Sequence, residues 1–197
     1  DDFKLYIDGV LETNYGGSTS PTTSSNLLSG EDAYLGSSTL SSELILDEFR
    51  IWNTARTPEE IQSAMNYQLE GNESNLTAYY NFDERVGDTV VDITGNGNDG
   101  TIEGDVTRLN FLGDTLSFDG VGDTISVATE LNTSNYTKAL WFKAPSSPTG
   151  NFISTQTTGH YFWFAEGNKI GAAHAGTTTS GTTGLLSVND FNDNQWH

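Results

Sequence analysis

Between Asn75 and Val127 the chain passes from a short apolar run, Leu76-Thr77-Ala78-Tyr79-Tyr80-Asn81-Phe82-Asp83-Glu84, into a loop dense in Asp, Asn and Gly, Asp92-Ile93-Thr94-Gly95-Asn96-Gly97-Asn98-Asp99-Gly100-Thr101. Two further short runs about a glycine follow, Leu116-Ser117-Phe118-Asp119-Gly120 and Thr124-Ile125-Ser126-Val127. This alternation of short apolar runs and glycine-rich turns suits strands and excludes long helices. The loop concentrates oxygen atoms and permissive backbone in few residues. A hard cation such as Ca²⁺ requires that, and so does a plain tight turn.

The rest of the chain repeats the pattern. Leu5 and Ile7 alternate with polar residues up to a turn at Asp8-Gly9, and residues 12–33 are rich in Ser, Thr and Gly, as a loop or long hairpin arm would be. Tyr34-Leu35-Gly36 reads as a short strand whose glycine admits a neighbouring backbone. Leu44 to Trp52 is a longer strand, with Phe49 and Ile51 on one face and Arg50 and Trp52 on the other. One helix is predicted near 57–69: Thr57 is an N-cap, Pro58 the first helical residue, Glu60 completes a capping box, and Ile61, Ala64, Met65 and Leu69 form an apolar stripe.

Charge narrows the partners. Eight Lys and Arg stand against 27 Asp and Glu, a formal charge of −19. Such a surface repels phosphate backbones and anionic lipid, so nucleic acid and membrane insertion are excluded as modes of action. It suits a cation-rich exterior, where bound ions offset self-repulsion. There is no Cys, hence no disulfide and no thiolate chemistry. No apolar run reaches the ~18 residues of a membrane span.

The quoted motifs resemble those of a laminin-G-like (concanavalin A-like) domain of the bacterial extracellular type. The similarity lies in the Ala78–Glu84 strand, the Asp92–Thr101 loop and the Leu116–Val127 pair, which open such domains. It lies also in Lys4-Leu5-Tyr6-Ile7-Asp8-Gly9 and Leu46-Asp47-Glu48-Phe49-Arg50-Ile51-Trp52-Asn53, which belong to their second half. Residues 1–75 thus resemble the second half and residues 76–197 the first half, together about one domain's worth. The order fits either a circular permutant or a window across two tandem repeats. The family's strand after Trp196-His197 has no counterpart here, and pairing with a neighbouring copy is expected to supply it.

The resemblance implies an all-β fold, a two-sheet antiparallel jelly-roll β-sandwich with that one short helix. It also implies a structural Ca²⁺ between the opening loop and the closing strand, held by Asp47 (or Glu48), Asp92, Asn96, Asn98 and Thr101. Asp119 and Asp123 form a second acidic cluster that reads as a turn. Sugar binding would draw on exposed aromatics: His160, Tyr161 and Trp163, then His174 and Trp196. Because 160, 162 and 164 alternate with 161 and 163, one of these sets is core; Trp52, Trp141 and Trp196 match core positions of the family. No nucleophile elbow or placed carboxylate pair indicates catalysis. The expectation is a non-enzymatic, secreted, calcium-stabilised structural or adhesive repeat of a surface protein or filament, paired with neighbouring copies. The alternative is a carbohydrate-binding module of an adhesin or secreted glycosidase, taking a cell-surface glycan.

Overall fold

The computed structural model describes residues 4–12, 33–36, 43–109, 114–127, 135–144, 149–155, 162–165, 168–172, 185–187 and 189–197. The strands of residues 1–75 are β1 (Tyr6–Ile7), β2 (Val10–Leu11), β3 (Ala33–Gly36) and β4 (Leu44–Trp52), followed by helix α1 (Pro58–Ala64). Then come β5 (Leu76–Tyr80), β6 (Thr89–Val90), β7 (Gly100–Glu103), β8 (Thr107–Leu109), β9 (Thr115–Phe118) and β10 (Thr124–Val127). The last are β11 (Thr137–Lys143), β12 (Gly150–Thr155), β13 (Phe162–Ala165), β14 (Lys169–Ala172) and β15 (Leu185–Leu186).

Two antiparallel sheets face each other across one core, with one helix beside them, as in a concanavalin A-like sandwich. The larger has the order β15-β14-β13-β12-β3-β10-β7-β6. The smaller runs β11-β4-β9-β8, with β5 also paired to β4. β1 and β2 form a separate hairpin. Its turn takes Asp8 and Gly9 through positive φ, 52° and 73°, as a two-residue hairpin requires. Strands from the two parts of the sequence interleave: β3 lies between β10 and β12, and β4 between β11 on one side and β5 and β9 on the other.

The alternation read from the sequence sets the faces. Phe49 and Ile51 of β4 are buried in the main core with Leu35, Phe118, Ile125, Phe142 and Phe152. Arg50 and Trp52 point the other way, yet both are buried, because the helix and the segment after it cover that face. Trp52 meets Leu76 and Tyr79 there in a second small cluster, and the Arg56 guanidinium lies 4.8 Å above its ring.

The capping box forms as predicted: Thr57 Oγ1 accepts from Glu60 N, and Glu60 Oε2 accepts from Thr57 N. The helix itself is shorter than its apolar stripe. It ends at Ala64, where Arg50 reaches up from β4 and donates to the carbonyls of Ala64 and Tyr67. A buried guanidinium satisfies end carbonyls that another helical turn would have used. Trp141 Nε1 donates to Met65 O at 2.9 Å from the neighbouring strand. Trp141 is half-buried, whereas Trp196 is 39% exposed and does not occupy a core position.

Candidate functional site

Asp92 organises the Asp/Asn/Gly loop. Its side chain is 4% exposed and accepts five hydrogen bonds. Oδ1 takes those of Tyr79 N, Thr94 N and Thr94 Oγ1; Oδ2 takes those of Asn98 N and Nδ2. Asn96 Nδ2 and Asn98 Nδ2 both donate to Thr77 O, at 3.0 and 3.1 Å. Asp99 Oδ1 accepts from Asp92 N, and Tyr80 Oη donates to Asn98 O. Gly95 and Gly97 supply the positive φ the turn needs. Three of the residues predicted as cation ligands, Asp92, Asn96 and Asn98, are therefore brought together, on the edge of β5.

Thr101 is placed differently. It lies within β7, paired with Thr89 on one side and Ser126 on the other, and its side chain is exposed. Asp47 takes no part in the ring around Asp92. It sits beside a bulge in β4, where the register with β11 shifts and Glu48 adopts φ 54°. Glu48 is compensated by Arg50 and by Tyr79 Oη, 3.0 and 2.9 Å from its two oxygens. Among the described residues Asp47 accepts a hydrogen bond only from the N–H of Glu48, at 2.8 Å. Burial, then the charge of Glu48 and, more weakly, that of Asp83, push the Asp47 carboxyl up to about 7. Asp83, which the sequence does not single out, is a second acidic neighbour of Asp47 after Glu48. Its own Oδ2 accepts from Gln68 Nε2 and Asn81 Nδ2.

The fit to a hard cation differs at the two places. Ca²⁺ takes about six to eight oxygens with lone pairs facing inward. The Asp92 oxygens already face N–H and O–H hydrogens, so the loop as folded closes on itself and does not fit an ion there. The Asp47 carboxylate is desolvated beside like charges, and a divalent cation would relieve that. Among the described residues no three His, Cys, Asp or Glu side chains converge as a cage. Ligands beyond Asp47 and Asp83 would have to be amide or carbonyl oxygens.

The second acidic cluster is a turn. Asp123 is fully buried, and its two oxygens accept from Asp105 N and Asp119 N, both at 2.7 Å.

Of the aromatic candidates, His160, Tyr161 and His174 lie outside the described residues. Phe164 is core and Phe162 lies against the core, which sends Trp163 to the outer face of the larger sheet. There it lies flat over Gly171 of β14; a Cβ at that glycine would sit 2.2 Å from the indole. The same face carries a lateral row set by register: Thr89, Thr101, Ser126, Tyr34 and Ser154. The sequence shows the alternation but not which strands stand side by side, so this row was not legible from it.

Residues 1–62 match the family model of the concanavalin A-like lectin/glucanases superfamily. The match covers β1 to β4 and most of α1, and with the two-sheet architecture it bears out the laminin-G-like, concanavalin A-like resemblance. Neither the curated proteins nor the solved structures give a match to the chain.

Proposed function

We propose that this laminin-G-like, concanavalin A-like sandwich is a non-enzymatic structural or adhesive unit of an extracellular surface protein, stabilised by calcium and paired edge to edge with neighbouring copies. Laminin-G-like domains are typically extracellular, and no helix among the described residues is long and apolar enough to cross a membrane. The observation that carries the reading is β11. It is an end strand of the smaller sheet, and among the described residues its backbone pairs, on the side away from β4, only with Trp196 and His197. Edges of this kind are templates for pairing with another chain.

The calcium part rests on Asp47 and Asp83. Light scattering on the purified chain is expected to give large particles in calcium and smaller ones in chelator. Heat denaturation is expected to follow calcium by mass action. In chelator, Asp47→Asn removes a buried charge and should raise Tm at pH 7. The sign follows from the raised pKa: the folded state holds the proton more tightly, so this group's contribution is full below about 4 and is lost as pH climbs to about 7. In calcium the same variant should lose the ion's stabilisation. A monodisperse monomer under both conditions would refute pairing, and an Asp47→Asn chain that still responds to calcium would move the ion elsewhere.

A second reading, glycan binding, is favoured by one observation. The outer face of the larger sheet presents Trp163 and Tyr34 alongside a row of hydroxyls, the mix of flat apolar surface and hydrogen-bonding groups that sugar rings need. On a glycan array, retention that Trp163→Ala abolishes would support it. Retention unchanged by Trp163→Ala would remove this face from consideration.

A further inference from the structure

We propose that the His197 ring is a protonated latch, which fastens the turn of the β1–β2 hairpin to β11 and to residues 189–197 and lets the hairpin loosen when the proton leaves. The latch needs neither calcium nor a second copy of the chain.

Three elements meet at this ring. His197 N donates to Phe142 O at 3.0 Å and His197 O accepts from Phe142 N at 2.9 Å, which fixes its backbone on β11. The ring packs against Phe142 and edge-on to Phe191, with centroids 5.7 and 4.8 Å away. Both ring nitrogens then meet carboxylates: Nδ1 lies 3.1 Å from Asp8 Oδ2, and Nε2 lies 3.0 Å from Asp193 Oδ1. A neutral imidazole has one N–H and one lone pair. In either tautomer it would turn that lone pair on a carboxylate oxygen at hydrogen-bond distance. The imidazolium donates to both, so the arrangement calls for the proton. Asp193 belongs to the same segment as His197 and sets the ring's orientation. Asp8 is the partner that crosses between elements. It sits in the hairpin turn, which helix α1 holds from elsewhere through Gln62 Nε2 donating to Gly9 O at 2.8 Å. Among the described residues β1 and β2 pair only with each other, yet Leu5 and Ile7 are seated in the main core. The hairpin is thus fastened to the sandwich by side chains, and the Asp8–His197 contact is one of those fastenings.

The charges around the ring set when the latch closes. Lys4 of the hairpin, Glu48 and Arg50 of β4, Arg56 and Lys138 of β11 line the same cavity as the ring. Glu48 pairs with Arg50 and Arg56 with Glu60, while Asp190 of the ring's own segment pairs with Lys169. The charges in contact with the ring are those of Asp8 and Asp193. Burial works against the ring's proton, but the hydrogen bonds and charges of Asp193 and Asp8 outweigh it, so His197 keeps its proton above the ordinary histidine range. A group whose pKa is raised on folding adds stability below its unfolded value and loses it as pH climbs through the folded one. The latch is therefore closed at mildly acid to neutral pH and opens on the alkaline side. At the acid end the hydrogen bond from His197 holds the Asp193 carboxyl below its ordinary value, so that partner stays charged.

A double-mutant cycle of Asp8→Asn and His197→Gln on the 197-residue chain, in chelator, tests the latch by denaturant unfolding at about pH 6 and about pH 9. Asparagine accepts the positive φ of position 8, so the turn survives the change. Asp47 and Lys138 titrate in the same range, but all four chains share them and the cycle cancels them. The expected coupling at the lower pH is roughly two- to five-fold in the folding equilibrium constant, the scale of a partly exposed ion pair, and it vanishes at the higher pH. Hydrogen-exchange protection across residues 5–11 should fall further between the two pH values in the parent than in Asp8→Asn, by a similar factor. In the NMR titration of the ring, Asp8→Asn should lower the pKa of His197. That titration decides alone if His197→Gln does not fold: a downward shift supports the latch, and an unchanged pKa overturns it. A coupling that is absent at the lower pH, or equal at both, also overturns it.

Discussion

Asp92→Ala is expected to be the most destabilising single change in the loop, by about 3–5 kcal/mol. One buried carboxylate accepts from five donors, among them the backbone N–H groups of Tyr79, Thr94 and Asn98. Removing it strands these donors, and each unsatisfied buried group costs about 1–3 kcal/mol, less whatever water recovers. Against a typical total of about 5–15 kcal/mol this is a large share. Asp92→Asn is the informative companion. It keeps the shape but replaces one acceptor oxygen by an NH₂ that would face donors, so it should recover only part of the loss. Denaturant unfolding measures both. If Asp92→Ala costs under about 1 kcal/mol, the carboxylate is not the hub of the loop. The loop anchors β5 through Tyr79 N and Thr77 O, so the loss should also be felt in β4, to which β5 is paired.

What could be read in advance was local. The capping box at Thr57 and Glu60, the Asp8-Gly9 turn, the long strand through Phe49 and Ile51, and the turn at Asp119 and Asp123 each depend on a few neighbouring residues, and each is present. What escaped depends on residues far apart in sequence. The helix stops at Ala64 because of an arginine 14 positions earlier, whereas the apolar stripe alone suggests another turn. Asp47 acquires its raised pKa partly from Asp83, on the far side of the helix in sequence. Thr101 stands in a motif that reads as cation ligands, yet strand register sets it on the outer face beside Ser126. The family motif identifies which residues are special but not how their hydrogen bonds close: around Asp92 they close on the loop's own amides.

The same distinction gives the second large effect. Gly36 occupies the end of β3, between β10 and β12, with φ 75°. A side chain there meets two obstacles at once. A Cβ would lie 2.6 Å from the Phe118 ring and 2.7 Å from the Asp123 carbonyl oxygen. Neither can give way easily. Phe118 is fully buried, and Asp123 is held by its hydrogen bonds from Asp105 and Asp119. Gly36→Ala therefore adds a left-handed backbone penalty of about 1–2 kcal/mol to an overpacking cost of about 1–3 kcal/mol, for a total of about 2–5 kcal/mol. Gly95→Ala is the control. Its φ is 72°, nearly the same, but no heavy atom lies within 4 Å of the added Cβ. It should cost only the backbone part. The difference between the two variants in one denaturation series isolates the steric contribution where the end of β3 meets Phe118 of β9 and the start of β10. Because β3 comes from the first part of the sequence and β10 from the second, that difference also reports how tightly the two parts are joined. Equal losses for the two glycines would mean that the end of β3 does not lie as close to Phe118 and the Asp123 carbonyl as the packing requires.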